Sequence, residues 1–286
     1  MTPHIQRNTR SLPQGDVTDV SDVFIDAPSL RKVVLHEVIE HGSFAFPFQL
    51  THLAASFSAI HNLHTLSLLE ELHLEERHDD IPFLHRITLP KVRRLSVSSL
   101  NMLRYLCLPS LEDLTCGRYF TGGTLFAPLH ADATVAAAVA IRDFIRSSHC
   151  SLTSLATTSP IIYTSNFTQE ALPLLESLTS LGLQIIQVYE HRFYDALMSP
   201  NVLPNLQCLI MRLPSMGMED VSQDALSAML ASRGQHLLSV RLDYPIMPDD
   251  KHVGILDTLQ SLRQVGVDMR VEGMRDSIGI EFGKFA

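Results

Sequence analysis

Leu108-Pro109-Ser110-Leu111-Glu112-Asp113-Leu114-Thr115-Cys116 is the phrase whose reading decides the fold, because it recurs. It stands 19 residues earlier as Leu89-Pro90-Lys91-Val92-Arg93-Arg94-Leu95-Ser96-Val97. Further copies are Ala27-Pro28-Ser29-Leu30-Arg31-Lys32-Val33-Val34-Leu35 and Leu203-Pro204-Asn205-Leu206-Gln207-Cys208-Leu209-Ile210-Met211. Each is a proline followed by Lxx(L/V)x(L/V). Strand side chains alternate, so positions four and six of the phrase turn to one apolar face and positions three, five and seven to the other.

Copies without the proline fill the gaps: Leu50-Leu53, Leu69-Leu72-Leu74, Leu152-Leu155, Leu178-Leu181-Leu183, Leu237-Val240-Leu242 and Leu262-Val265-Val267. The starts then fall at residues 30, 50, 69, 92, 111, 152, 178, 206, 237 and 262, roughly 19 to 31 apart with one gap of about 41. This is the strand motif of leucine-rich repeats. It predicts an irregular α/β solenoid, with a parallel sheet on the concave side and helices or irregular coils on the convex side.

Two phrases compete for the register. Leu84-His85-Arg86-Ile87-Thr88-Leu89 and Leu103-Arg104-Tyr105-Leu106-Cys107-Leu108 also fit LxxLxL, each eight residues upstream of a Pro-led copy. Eight residues are too few for a complete circuit, and a proline is tolerated at the first residue of a strand but not inside a central one. The Pro-led phrases are therefore read as the strands.

A repeat array grows in one dimension, so 286 residues with 45% hydrophobic content can form one continuous domain. Residues 19–286 are read as that domain, behind a polar, poorly ordered leader at 1–18 carrying Pro3, Pro13 and Gly15. Helical periodicity appears at 19–24, at Asp132–Arg146 and at Ser222–Ser232, where Ser222 fits an N-cap; Gly117–Gly123 reads as a loop. Starting almost directly on a repeat, the chain is expected to leave its first strand with an open edge unless residues 1–26 cover it.

The net charge of -9 offers no basic face for nucleic acid or an anionic membrane, and no apolar run reaches the length of a membrane span. Tryptophan is absent, and the six tyrosines form no stripe for stacking on bases. The four cysteines, 107, 116, 150 and 208, include no CxxC, and Cys116 takes a core-facing place. A reduced compartment, cytoplasm or nucleus, is the expectation, and the sequon Asn166-Phe167-Thr168 then carries no weight.

Positions three, five and seven assign the concave face to Lys32, Val34, His36; Glu71, His73, Glu75; Arg94, Ser96, Ser98; Asp113, Thr115; Ser154, Ala156, Thr158; Cys208, Ile210, Arg212; Ser239, Arg241, Asp243; and Gln264, Asp268. Three successive copies carry Glu70-Glu71, Arg93-Arg94 and Glu112-Asp113 at the same two places. In register these stack as acid, base, acid. Two readings stand: charge pairing that helps set register, at about 0.2–1 kcal/mol per exposed pair, or a ligand hot spot centred on Arg94. Candidate protein-binding residues are Lys32, His36, Glu71, His73, Glu75, Arg94, Ser96, Asp113, Arg212, Arg241 and Asp243.

No chemistry is legible beyond that face. His61 and His64 lack a converging ligand set for zinc. Gly117 to Thr124 has the outline GxxxxGxT, but Gly123 stands where a phosphate loop carries its lysine. No GxSxG occurs. The expectation is a binding protein with no cofactor, metal or catalytic set. An unrecognised enzyme, or a truncated or degenerate fragment without a partner, are the alternatives.

The strings Asp22-Val23-Phe24-Ile25-Asp26-Ala27-Pro28-Ser29-Leu30, Leu69-Glu70-Glu71-Leu72-His73-Leu74, Phe144-Ile145-Arg146-Ser147-Ser148-His149-Cys150-Ser151-Leu152-Thr153-Ser154-Leu155 and Phe193-Tyr194-Asp195-Ala196-Leu197 resemble the C-terminal leucine-rich region of the F-box-like proteins of mushroom-forming fungi. The resemblance runs from about residue 19 to 270. It implies the substrate-receptor half of an F-box-type ubiquitin-ligase subunit, whose repeats choose a protein of unknown identity. No F-box is legible, so the ligase adaptor is not expected to bind this chain alone. The asparagine usual after the strand motif is replaced by Val38, Arg77, Leu100 and Tyr119, which predicts irregular turns.

Overall fold

A computed structural model describes residues 24, 27, 29–35, 44–56, 63–75, 86–116, 131–158, 167–184, 191–199, 201–212, 223–244 and 260–273. The leader at 1–18, the helical turn expected at 19–24 except Phe24, the loop at Gly117–Gly123 and the cap residue Ser222 lie outside them.

The repeated phrase makes strands. In chain order they are β1 (Lys32–Val34), β2 (His52–Ser56), β3 (Glu71–Glu75), β4 (Ile87–Thr88), β5 (Arg94–Val97), β6 (Leu106–Cys107), β7 (Asp113–Cys116), β8 (Ser154–Thr158), β9 (Ser180–Gln184), β10 (Cys208–Arg212), β11 (Ser239–Tyr244) and β12 (Asp268–Gly273). All but β4 and β6 form one parallel sheet of 10 strands, in the order β1-β2-β3-β5-β7-β8-β9-β10-β11-β12. The sheet is open. Each strand pairs in parallel with the next strand of the same sheet, so the chain advances in one direction across it.

Register follows the apolar positions. Val33, Leu53, Leu72, Leu95, Leu114, Leu155, Leu181, Leu209 and Val240 stand side by side across nine strands. None is more than 6% exposed. The next inward position adds Ala55, Leu74, Val97, Cys116, Leu183, Met211 and Leu242, also buried. A slip of one residue anywhere would turn this row to the polar face.

A recurring backbone motif begins the pairings of the large sheet from β1 to β11. The carbonyl of phrase position two accepts from the N–H groups of positions two and three of the following copy: Arg31 from Thr51 and His52, Glu70 from Arg93 and Arg94, Arg93 from Glu112 and Asp113, Thr153 from Thr179 and Ser180. Where position two is a threonine, its hydroxyl donates to the same carbonyl, as Thr51 does to Arg31 (3.0 Å) and Thr179 to Thr153 (3.1 Å).

The proline has a role other than the one its position suggests. Leu111 N donates to Leu108 O and Leu206 N to Leu203 O, so Pro109 and Pro204 are second residues of tight turns that precede the strands. Proline's fixed φ suits that place. Leu50, Leu69 and Leu178 close similar turns on Pro47, Leu66 and Leu175, which is why copies without the proline work equally well.

The competing phrases are also strands. β4 and β6 pair in parallel as a separate two-stranded sheet, Ile87 beside Leu106 and Thr88 beside Cys107. Eight residues therefore span part of a circuit, from the small sheet to the large one. At Leu100 the chain enters a 3-10 helix, Leu100–Tyr105, with Ser99 Oγ accepting from Asn101 N.

Three longer helices lie between strands: α1 (Ala131–Ser148), α2 (His191–Met198) and α3 (Gln223–Arg233). Among the described side chains of α1 the buried apolar ones are Ala138, Ile141, Phe144 and Ile145; Val135 is exposed instead. α1 packs on the 3-10 helix and β6, and Leu108 N donates to Ser148 Oγ at 3.2 Å. α2 and α3 pack together through Phe193, Leu197, Leu226, Met229 and Leu230. One hydrophobic core runs from Val33 to Val267. Among the described residues no helix is long and apolar enough to cross a membrane.

The last strand departs from its expected place. Leu262 to Gln264 ends a short helix at 260–264 rather than starting a strand, and Val265 is 72% exposed. Gly266 has φ +96; Gly266 N donates to Arg263 O and Val267 N to Leu262 O. This is a Schellman cap, with buried Leu262 and Val267 as its apolar pair. The strand begins at Asp268, so Gln264 is not on the polar face.

Leu95→Ala should cost about 2–5 kcal/mol in urea denaturation, as a truncation in the continuous row of buried side chains. Gly266→Ala should cost about 1–2 kcal/mol through its left-handed backbone, since a Cβ there meets nothing within 4 Å. An unchanged urea midpoint for either variant would contradict the packing or the cap just described.

Candidate functional site

Because the inward positions are fixed by burial, the intervening side chains are aligned in rows on the opposite face. Position three gives Lys32, His52, Glu71, Arg94, Asp113, Ser154, Ser180, Cys208, Ser239 and Asp268. Position five gives Val34, Ala54, His73, Ser96, Thr115, Ala156, Gly182, Ile210, Arg241 and Arg270.

The acid, base, acid stack is present. Arg94 lies between Glu71 and Asp113, with nitrogen to oxygen distances of 3.8 and 3.5 Å. His52 Nε2 extends the row, 3.4 Å from Glu71, while its Nδ1 lies 2.8 Å from Thr51 Oγ1. One position earlier, Arg93 grips Glu112 with three hydrogen bonds, of 2.8, 2.8 and 3.1 Å. The two adjacent arginines thus differ: Arg93 is committed to a bidentate partner, whereas Arg94 is shared at longer range between two carboxylates and is half exposed.

Burial sets the electrostatics of this row. Glu71 is only 12% exposed, against 52% for Arg94 and 33% for Asp113. Loss of hydration raises the Asp113 pKa above the ordinary value, although a hydrogen bond with Ser154 and the charge of Arg94 act the other way. Glu112 raises the Arg93 pKa, through its hydrogen bonds first and its charge second. His73 is buried in row five, with Nε2 3.5 Å from Glu75 on its own strand.

The sequence-derived candidates fall into two groups. Lys32, Glu71, His73, Glu75, Arg94, Ser96 and Asp113 share the polar face of β1, β3, β5 and β7. Arg212 and Arg241 lie on β10 and β11, separated from Asp113 by β8 and β9, whose rows hold Ser154, Ala156, Ser180 and Gly182. Asp243 is in register with Arg212. His36 lies outside the described residues.

His52 and Arg270 belong to these rows and were missed. His52 was legible as position three of Leu50-Thr51-His52-Leu53, whereas Arg270 was hidden by the misplaced last start.

Other sequence features do not build a site. His64 is exposed in a short 3-10 turn, while His61 and residues 117–124 lie outside the described residues. Among the described residues no group of three or more His, Cys, Asp or Glu side chains could hold a metal. Burial raises the Cys116 pKa and pushes that of Cys150 up to about 11, so neither is an activated thiolate. No protein-family model matches the chain, and no curated protein or solved structure shows significant similarity to it.

Asp113 gives a pH test. Its folded pKa is raised, so the folded state holds this proton more tightly than the unfolded chain. The resulting stabilisation is present below the ordinary carboxylate pKa and is lost as pH rises through the folded value. Asp113→Asn should therefore gain stability relative to wild type as pH rises from below the ordinary carboxylate pKa to above it, in urea denaturation. Parallel pH profiles for the two proteins would contradict the assignment.

Proposed function

We propose that the chain is a leucine-rich-repeat solenoid that binds another protein on the polar face of its sheet, as the receptor half of an F-box-type ubiquitin-ligase subunit does. The observation that carries this reading is the register: ten parallel strands align their outward side chains in rows across one face, and the row at position three is polar from Lys32 to Asp268. The strand phrases and the resemblance to the F-box-like proteins of mushroom-forming fungi support the family part of the proposal. The face offers exposed charge and hydroxyl groups over a rigid backbone, which suits recognition of a folded or helical partner.

Affinity capture on the immobilised full chain from a mushroom-fungus lysate tests it. A reproducible partner should be recovered by the wild type, diminished by Arg94→Glu and retained by Arg146→Glu, which alters an exposed residue of α1. Recovery of chaperones alone would overturn the reading, as would a partner equally sensitive to both substitutions.

A further inference from the structure

We propose that the charge row on β3, β5 and β7 receives an α-helix of the partner protein, laid across the strands. The helix carries a basic, an acidic and a basic residue on successive turns, opposite Glu71, Arg94 and Asp113. This rests on the protein-binding reading above and names the chemistry of the partner.

Spacing is the first argument. Adjacent strands lie about 4.8 Å apart, and a helix rises about 5.4 Å per turn, so three strands and three turns differ by only about 1.2 Å over their length. From position three to position six, where β5 and β7 end, is about 10 Å along the strand, comparable to the width of a helix, about 10–12 Å. The floor there is Ser96 and Thr115 on β5 and β7, short side chains that let a helix approach, and the buried His73 on β3.

Charge is the second. Arg94 has five N–H donors and meets its two carboxylates only at 3.8 and 3.5 Å, so it can receive a third from the partner. Arg93 cannot do the same, because Glu112 already occupies its fork. Alternation also sets register: a helix of the opposite sign pattern, or one displaced by a single turn, places like charges together at every contact.

Two fluorescent alanine-based peptides of equal helicity test this against the full chain by anisotropy at low salt. One carries Lys, Glu and Lys at i, i+4 and i+7; the other carries Glu, Lys and Glu. The first should bind about tenfold more tightly or better, and about 0.5 M salt should remove the difference.

The triple variant Glu71→Lys, Arg94→Glu, Asp113→Lys should reverse the preference. Should that variant fail to fold, Arg94→Glu alone changes a half-exposed side chain and should still weaken the first peptide selectively.

Equal binding of the two peptides, or binding of neither by the wild type, overturns the proposal. Where a captured partner is diminished by Arg94→Glu and neither peptide binds, only the helix on this row is lost. When no partner is captured and neither peptide binds, the protein-binding reading falls as well.

Discussion

The structure depends on a constraint that acts at phrase position four. A single circuit of the chain leaves one strand with a leucine on its inner face and nothing of its own to cover it. Only the neighbouring circuit can do so, and it presents the same side chain at the same height. Fully burying each such residue contributes about 1.5–3 kcal/mol, so the row from Val33 to Val240 outweighs any surface term in fixing the register. The shared carbonyl at position two holds the backbone where that row needs it, and a threonine hydroxyl at three of those places strengthens the same acceptor.

The polar face inherits its order from the buried one. Once inward residues are aligned, the outward ones must also stand in rows at strand spacing, and adjacent charges either alternate in sign or repel. From Glu71 to Asp113 they alternate. Exposed pairs of this geometry contribute little to stability, on the order of 0.2–1 kcal/mol each, far below the buried row beneath them. Their identity is thus constrained weakly by folding, and a selective pressure from a binding partner can be expressed there without disturbing the core.

Legibility in the sequence follows from how local each determinant is. Nine of the ten starts precede their strands by two residues, as 30 precedes Lys32 and 237 precedes Ser239, because burial at positions one, four and six is written in the strand itself. The tenth failed because Leu262-Arg263-Gln264-Val265-Gly266-Val267 satisfies two grammars. As a strand it is LxxVxV; as a helix end it is a Schellman cap, and the glycine, with φ +96, decides for the cap. Pairing of β4 with β6 was hidden for a different reason: two residues per strand carry too little alternation to read. The acid, base, acid stack was legible since it needed only a correct register. The separation of Arg212 and Arg241 from it was not, because a list of outward positions does not show which strands lie between.

Arg233 is the determinant furthest from anything local. It closes α3, yet only 2% of its surface is exposed, and burial lowers its pKa. Its guanidinium donates to carbonyls of a different helix end: Leu197 at 2.5 Å, Ser199 at 2.6 Å, Leu203 at 3.2 Å, and Val202. These lie at and just after the C-terminus of α2, where unpaired carbonyls and the negative end of the helix dipole favour a cation. Leu203 is also in the left-handed region, at φ 49, and its carbonyl accepts from Leu206 N as well. A non-glycine residue holds that conformation at a cost of about 1–2 kcal/mol, which Arg233 offsets by fixing the carbonyl. The turn at 203–206 that aims β10 into the sheet therefore leans on a residue thirty positions later in the chain, and no periodicity in the sequence could have announced it.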